Sequence, residues 1–379
     1  MRGNPLLRYT IYMPHIAIDA RIINSSTGTY VERLLHYLEQ IDTTNTYTVI
    51  VPSKDLAFWQ PKNPHFTVVA GDFDNYSFAE QLGFKRFLDN LSPDLVHFCM
   101  PQQPILYKGK TVTTFHDLSL IRVYNSDKNW FMYHTKQLIG KYVFRRVARQ
   151  TNHIITPSDF VRNDVSKSLN VPLKKITRTY EAADVALQST EPYNHPFSHY
   201  ILYVGQQSDY KNIPRLAEAH QKLLKKYPDL GLILAGKLND SAKTNKALFK
   251  DRNYSNILFT DFIPNSQRDW LYQHAEMYVF PSLTEGFGLP GLEAMGYGAP
   301  VVSSNATCLP EIYGDAALYF DPLDTDDIKN TIDTLLSDHK LRQSLIQKGA
   351  KKHASYSWKN MAVQTLAVYE DVLTNSPEK

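Results

Sequence analysis

Glu285 and Glu293 have seven residues between them, and the stretch TEGFGLPGLEAMGYGAP, from Thr284 to Pro300, sets five glycines and two prolines around the pair. A carboxylate can only accept hydrogen bonds, so two of them converging on one ligand call for hydroxyls, which sugars supply. The glycines let main-chain N–H groups approach a ligand, and the N-terminus of the helix that Pro290 suits favours an anion. Hydroxyl acceptors flanking phosphate donors fit a sugar–diphosphate–ribose molecule. By spacing alone, Glu293 is equally well explained as a solvated residue in the first turn of that helix.

GFGLPG at 286–291 also satisfies the G-x-G-x-x-G pattern of a dinucleotide loop. That fingerprint further requires an acid at the end of the next strand, about 20 residues on. Glu311 stands near that distance, but in LPEIYG, which reads as a helix start beyond the strand PVVSS. The unit also comes late in the chain, after a whole α/β domain. The phosphate half of the pattern is kept and the dinucleotide half is not.

Short apolar runs alternate with amphipathic segments, the signature of parallel sheets covered by helices. Strands are expected at HIAIDA (15–20), YTVIV (47–51), HFTVVA (65–70), DLVHFC (94–99), TVTTF (111–115) and HIITP (153–157), then at YILYVG (200–205), GLILAG (231–236), NILFTDF (256–262), MYVFPS (277–282) and PVVSS (300–304). Helical spacing puts Val31, Leu34, Leu35 and Leu38 on one face, and Ile213, Leu216, His220, Leu223 and Leu224 on another. The polar, proline-bearing segment 187–199 is the expected linker. The expected units are a doubly wound domain over 1–186 and a second over 200–357. Residues 358–379 form a closing helix with Met361, Val368 and Val372 on one face and Ser357 as its cap. A ligand cleft belongs between the domains, at the carboxyl ends of the strands.

EGFGLPGLEAMGYGAPVV closely resembles the E-x7-E signature of family four retaining glycosyltransferases of the GT-B fold, in which two Rossmann-like domains face each other across a cleft. IDARIINSSTGTYVERLL, TFHDLS, TPSDFVRNDV, YVGQQSDYKNI, SSNATCLPEIYGDAALYFDP and SWKNMAVQTLAVYEDVL resemble further segments of that family, in the expected order from about His15 to Leu373. The resemblance implies that Glu285 contacts the donor sugar and Glu293 the ribose. It gives Gly286, Phe287, Gly288 and Leu289 contacts with sugar and phosphates. By the same resemblance Lys211 would neutralise the departing diphosphate, His116 would face the sugar from the first domain, and Gly28 would let the first loop approach the ligand. The last helix would cross back to the first domain. Gln206 occupies a donor-loop position that is arginine in many relatives, and Tyr210 and Thr29 stand where some carry a basic residue. Lys211 is then the one cation expected from its loop. Read without the family, His116 is a strand-end histidine satisfying a neighbouring main-chain group, and Asp117 is structural.

The implied reaction moves a hexose from a nucleotide diphosphate sugar to a sugar or lipid-linked hydroxyl, with no cofactor. The wording around the signature resembles bacterial mannosyl- and hexosyltransferases of surface polysaccharide synthesis, which puts GDP-mannose ahead of UDP-glucose as donor. A silent protein that binds a nucleotide sugar and a sugar-nucleotide epimerase stay open as alternatives. Asp72-Phe-Asp74 and Asp324-Thr-Asp326 have the form of a metal-binding pair, but the first reads as a turn and the second as helix capping.

Bulk composition agrees with this and excludes other classes. A chain of 379 residues is long for one core. A net charge of +3 does not mark a nucleic-acid binder. Two distant cysteines, Cys99 and Cys308, argue for a reducing compartment and against a disulfide or zinc framework. MRGNPLLRYTIYMPH lacks the continuous apolar core of a signal peptide, and no run approaches the ~20 residues that span a bilayer, so a cytoplasmic protein is expected. Peripheral contact with the inner membrane face is a further expectation. It rests on KYVFRRVARQ (141–150) and on FAEQLGFKRFLDNL (78–91), with Phe78, Leu82, Phe87, Leu88 and Leu91; the bland reading packs both apolar faces on their own sheet.

Overall fold

The computed structural model describes residues 12–25, 27–75, 77–121, 130–185 and 190–375, with the backbone alone for 130–137 and 139. The opening segment 1–11, the first linker residues 187–189 and the end 376–379 lie outside the described residues. Thirteen described strands form two sheets. The first contains β1 (His15–Asp19), β2 (Thr46–Val51), β3 (Phe66–Ala70), β4 (Leu95–Phe98), β5 (Thr111–Thr114), β6 (His153–Thr156) and β7 (Ile176–Arg178). The second contains β8 (His199–Val204), β9 (Leu230–Ala235), β10 (Ile257–Phe259), β11 (Met277–Phe280), β12 (Val301–Ser304) and β13 (Ala317–Phe320).

The sheet orders are β3-β2-β1-β4-β5-β6-β7 and β10-β9-β8-β11-β12-β13, with every ladder parallel. Both are doubly wound, reversing direction between β1 and β4 and between β8 and β11. Helices cover both faces, so the strands are near-continuous apolar runs such as the fully buried LGLILA. Two strands were not legible in advance: β7 has one buried apolar residue, Ile176, and β13 is four residues tucked behind Gly314. NILFTDF is cut to three residues because Asp261, at φ 60°, turns the chain off the sheet.

The apolar face read into residues 78–91 is corrected. Ala79–Phe84 is a wide turn of π-helix leading into the α-helix Lys85–Leu91. One residue more per turn rotates the face. Phe84 and Leu88 are buried, while Phe78 and Leu82 are 87% and 61% exposed.

The helix Trp358–Thr374 starts at Ser357, whose hydroxyl accepts from the Asn360 N–H. It belongs to the first domain's core: Trp358, Met361, Ala362, Val368, Tyr369 and Val372 pack with β1, β2 and the helix Gly28–Ile41. At its buried centre His97 sits between the Tyr369 hydroxyl (2.5 Å) and Thr114 Oγ1 (2.9 Å). Burial, helped by His116, pushes His97 down to about 3, and burial pushes His220 down to about 4 despite its bond to the Leu230 carbonyl. Both are ordinary histidines in the unfolded chain, near 6.5. Unfolding therefore takes up protons across that interval, and the stability these sites contribute above pH ~6.5 is lost as pH falls toward ~4. Thermal melts should show a midpoint dropping through this window; a flat midpoint would contradict it.

Candidate active site

The carboxyl ends of β8 and β11 flank the point where the second sheet reverses, and each delivers one charged residue there. After β8 the chain makes the tight turn Asp209–Lys211 and ends it at Asn212, in the left-handed region at φ 60°. The buried Asn212 amide donates to the carbonyls of Pro281 and Pro322, which ties the turn to the neighbouring strand ends. After β11, Glu285 is held by its own N–H, which donates to Thr307 Oγ1 at 3.1 Å, and by Cys308 Sγ on its carbonyl. Lys211 Nζ and Glu285 Oε1 meet at 2.5 Å, with 14% and 12% of their side chains exposed. Burial works against the Lys211 charge, but Glu285, then Tyr203 and Tyr210, more than offset it and hold the ammonium above its ordinary range. A cation that stays charged when buried is suited to an anion arriving at this point.

Glu293 lies in the second turn of the helix Leu289–Gly296, not the first, because that helix begins at Leu289, directly after Gly288. Burial raises its carboxyl above the usual range, partly countered by the Arg268 charge and by the Tyr272 hydroxyl, which donates to Oε2 at 3.3 Å.

The signature glycines have structural reasons that periodicity did not suggest. A Cβ on Gly286 would lie 2.0 Å from the His116 carbonyl oxygen in the other domain. Gly288 (φ +100°) and Gly291 pass so close to Tyr313 that a Cβ would come within 2.5 and 2.3 Å of its hydroxyl oxygen. That hydroxyl donates to the Gly288 carbonyl at 2.6 Å. Phe287 is buried between Tyr180 and Tyr356, with centroids 6.2 and 5.6 Å away, and Leu289 packs against both cores.

Across the cleft, His116 follows β5. Its Nε2 faces the Cys99 carbonyl at 3.1 Å and its Nδ1 faces Glu181 Oε1 at 3.2 Å. Asp117 Oδ1 accepts from the Ser119 N–H, a turn contact. Gly28 opens the helix after β1; a Cβ there would lie 1.9 Å from the Ile23 carbonyl oxygen, so the loop closes on itself only around glycine. Gln206 is exposed, and its main-chain carbonyl accepts from Tyr203 Oη.

Lys211, Glu285, Gly286 and His116 are thus brought to one place. Two contacts across the cleft were missed from sequence. Ser158 Oγ donates to the Gly286 carbonyl at 2.7 Å, and Glu311 accepts from the Asp159 and Phe160 N–H groups, both at 2.8 Å, at the start of the helix Asp159–Leu169. Glu311, an acid out of place for a ribose, instead ties its short helix, Leu309–Tyr313, to the other domain.

Asp72 accepts from Ser53, and Asp324 caps the helix Thr325–Ser337. Among the described residues no three His, Cys, Asp or Glu side chains gather as a metal site. On the helix Trp130–Gln150, Phe144, Val147 and Ala148 pack inward, while Lys141, Arg145, Arg146 and Arg149 are exposed beside Leu138 and Tyr142.

The family model described as Glycosyltransferase Family 4 matches residues 27–187, and that described as Glycosyl transferases group 1 matches residues 168–352. The O-antigen chain mannosyltransferase B of Escherichia coli is 32% identical over 278 residues, 69% of this chain and 70% of that protein. The O-antigen chain mannosyltransferase RfbU of Salmonella typhimurium is 28% identical, over 57% of this chain and 62% of that protein. Among solved structures, sucrose-phosphate synthase from Thermosynechococcus elongatus superposes with a TM-score of 0.74 at 18% identity, covering 96% of this chain and 100% of that one, a likeness of fold.

Proposed function

The chain belongs to the family four glycosyltransferases of the GT-B fold, and from that premise we propose that it transfers a hexose, with retention, from a nucleotide diphosphate sugar to a sugar or lipid-linked hydroxyl in glycan biosynthesis. The observation that carries this is the Lys211–Glu285 pair at the second sheet's reversal point, facing the His116 segment across Gly286. GDP-mannose is the preferred donor and UDP-glucose the second; relatives named as mannosyltransferases support that order.

In this reading the bond from the anomeric carbon to the diphosphate breaks, and the diphosphate takes the electron pair. Lys211 and the main-chain N–H groups of Gly286 to Leu289 receive the charge. An oxygen of the departing diphosphate accepts the acceptor's hydroxyl proton, and the hydroxyl oxygen bonds to carbon on the same face. A double displacement would need a carboxylate nucleophile on the opposite face; Glu285 instead accepts from a sugar hydroxyl, and Glu293 from the ribose. Gln206 and Gly28 line the donor's path. No cofactor is required, because Lys211 and the amides supply the electrostatic work of a metal.

No helix among the described residues is long and apolar enough to cross a membrane. The exposed cations and Leu138 and Tyr142 on the helix Trp130–Gln150 support peripheral contact with anionic lipid at the cytoplasmic face, where a lipid-linked acceptor would be met. The test is transfer from GDP-mannose and UDP-glucose to a lipid-linked acceptor, with the product's anomeric configuration read by NMR. An α-linked product, insensitive to EDTA, is expected. An inverted product overturns the mechanism, and activity lost to EDTA and restored by manganese overturns the metal-independent reading.

A further inference from the structure

Glu181 is a carboxylate with 6% of its side chain exposed, carried on the connector that leaves β7 for the second domain. Its Oε1 lies 3.2 Å from His116 Nδ1. On the other side of the ring, Nε2 faces the main-chain carbonyl of Cys99, which can only accept, so Nε2 carries a proton. The Tyr30 ring meets the imidazole edge-on, 4.7 Å away at 81°, and the Tyr30 hydroxyl is fixed to Thr114 Oγ1 at 3.0 Å. The imidazole is therefore held on two nitrogens and one face. Two of these holds, Cys99 and Tyr30, come from the first domain's own interior.

The third comes from the connector. Next to Glu181, Ala182 is buried in the first core, the Ala183 carbonyl accepts from His353 Nε2 at 3.0 Å, and Asp184 pairs with Arg33 at 2.5 Å. The connector is thus tied to both domains within three residues of Glu181. We infer that Glu181 is a positioning residue for His116. The inference rests on the reading above that puts His116 in the transfer reaction. It explains why an acid is buried where the chain leaves the first domain: it supplies the Nδ1 partner, without which the ring is held only by Cys99 and Tyr30.

The full-length protein with Glu181→Gln, which preserves side-chain shape and removes the charge, tests this beside His116→Ala. Long-range 1H–15N spectra of the histidine rings, with His116 assigned by its loss in His116→Ala, should show the His116 Nδ1 signal moved in Glu181→Gln and those of the remote His220 unchanged. Donor KM should stay within about twofold, while kcat falls by roughly tenfold to a hundredfold, the scale on which a misplaced catalytic group acts. Glu181→Asp, which keeps the charge, should recover part of the loss. Unmoved His116 signals, or wild-type kcat in Glu181→Gln when His116→Ala is impaired, overturn the inference. Wild-type turnover in His116→Ala overturns the catalytic reading instead, and the ring signals then decide the positioning alone.

Discussion

Gly286→Ala is expected to lower turnover by roughly 10²-fold or more in a protein that still folds and melts close to wild type. The added methyl would lie 2.0 Å from the His116 carbonyl oxygen and 3.0 Å from its carbonyl carbon. Contact between a carbon and a carbonyl oxygen needs about 3.3–3.6 Å. The obstacle is main chain of the opposite domain, not the end of a flexible side chain, so one wall of the cleft must move by more than 1 Å, on the order of the displacement that costs an active site about 10²-fold. Gly286 is not among the positive-φ glycines, so alanine brings no backbone strain of its own and neither domain loses a core contact. The same displacement stretches the Ser158–Gly286 bond of 2.7 Å. Steady-state kinetics, melting temperature and small-angle scattering together check this. Full activity would mean that the domains work further apart than they stand here.

Lys211→Ala and Glu285→Ala carry the second large expectation. Lys211→Ala should reduce turnover by about 10²–10³-fold, the usual consequence of removing a preorganised positive charge from the site of a developing anion. Glu285→Ala should reduce it by about 10²-fold, because it removes the acceptor for the sugar hydroxyl and the partner that holds Lys211 in place. Because the pair is buried, each single substitution also strands the other charge, at a cost of as much as about 3–5 kcal/mol in stability. The double variant should melt nearer to wild type than either single one while remaining inactive. That pattern separates a catalytic pair from a structural one. If all three variants kept wild-type transfer, the site would lie elsewhere.

Much of this was legible beforehand, for physical reasons that differ by element. Runs such as GLILAG and HIAIDA announce strands because a parallel strand buried on both faces has no polar alternation to confuse it. The helix Gly28–Ile41 was legible because Val31, Leu34, Leu35 and Leu38 repeat at its period, and all four are buried. Residues 78–91 misled because a π-turn leaves no mark on spacing. In the site, Glu285 was marked by its chemistry and spacing and Lys211 by resemblance, and the pair they form was not. The contacts of Gly288 and Gly291 with Tyr313 span more than twenty positions, so no local window contains them. Ser158 was visible only inside a resemblance, and its bond to Gly286 belongs to another domain.

The closing helix has a consequence for the order in which the molecule can be made. The His97–Tyr369 contact joins residues 272 positions apart, and Trp358 to Val372 complete a core whose strands all precede residue 179. On the ribosome, at about 5–20 residues per second, the first domain emerges on the order of tens of seconds before the helix that finishes it. During that interval the groove later filled by Trp358, Met361 and Tyr369 is open apolar surface on a nascent chain. The second domain's buried core, Tyr200 to Leu345, is synthesised in full before that helix. The domain that begins the sequence is the last whose core is complete.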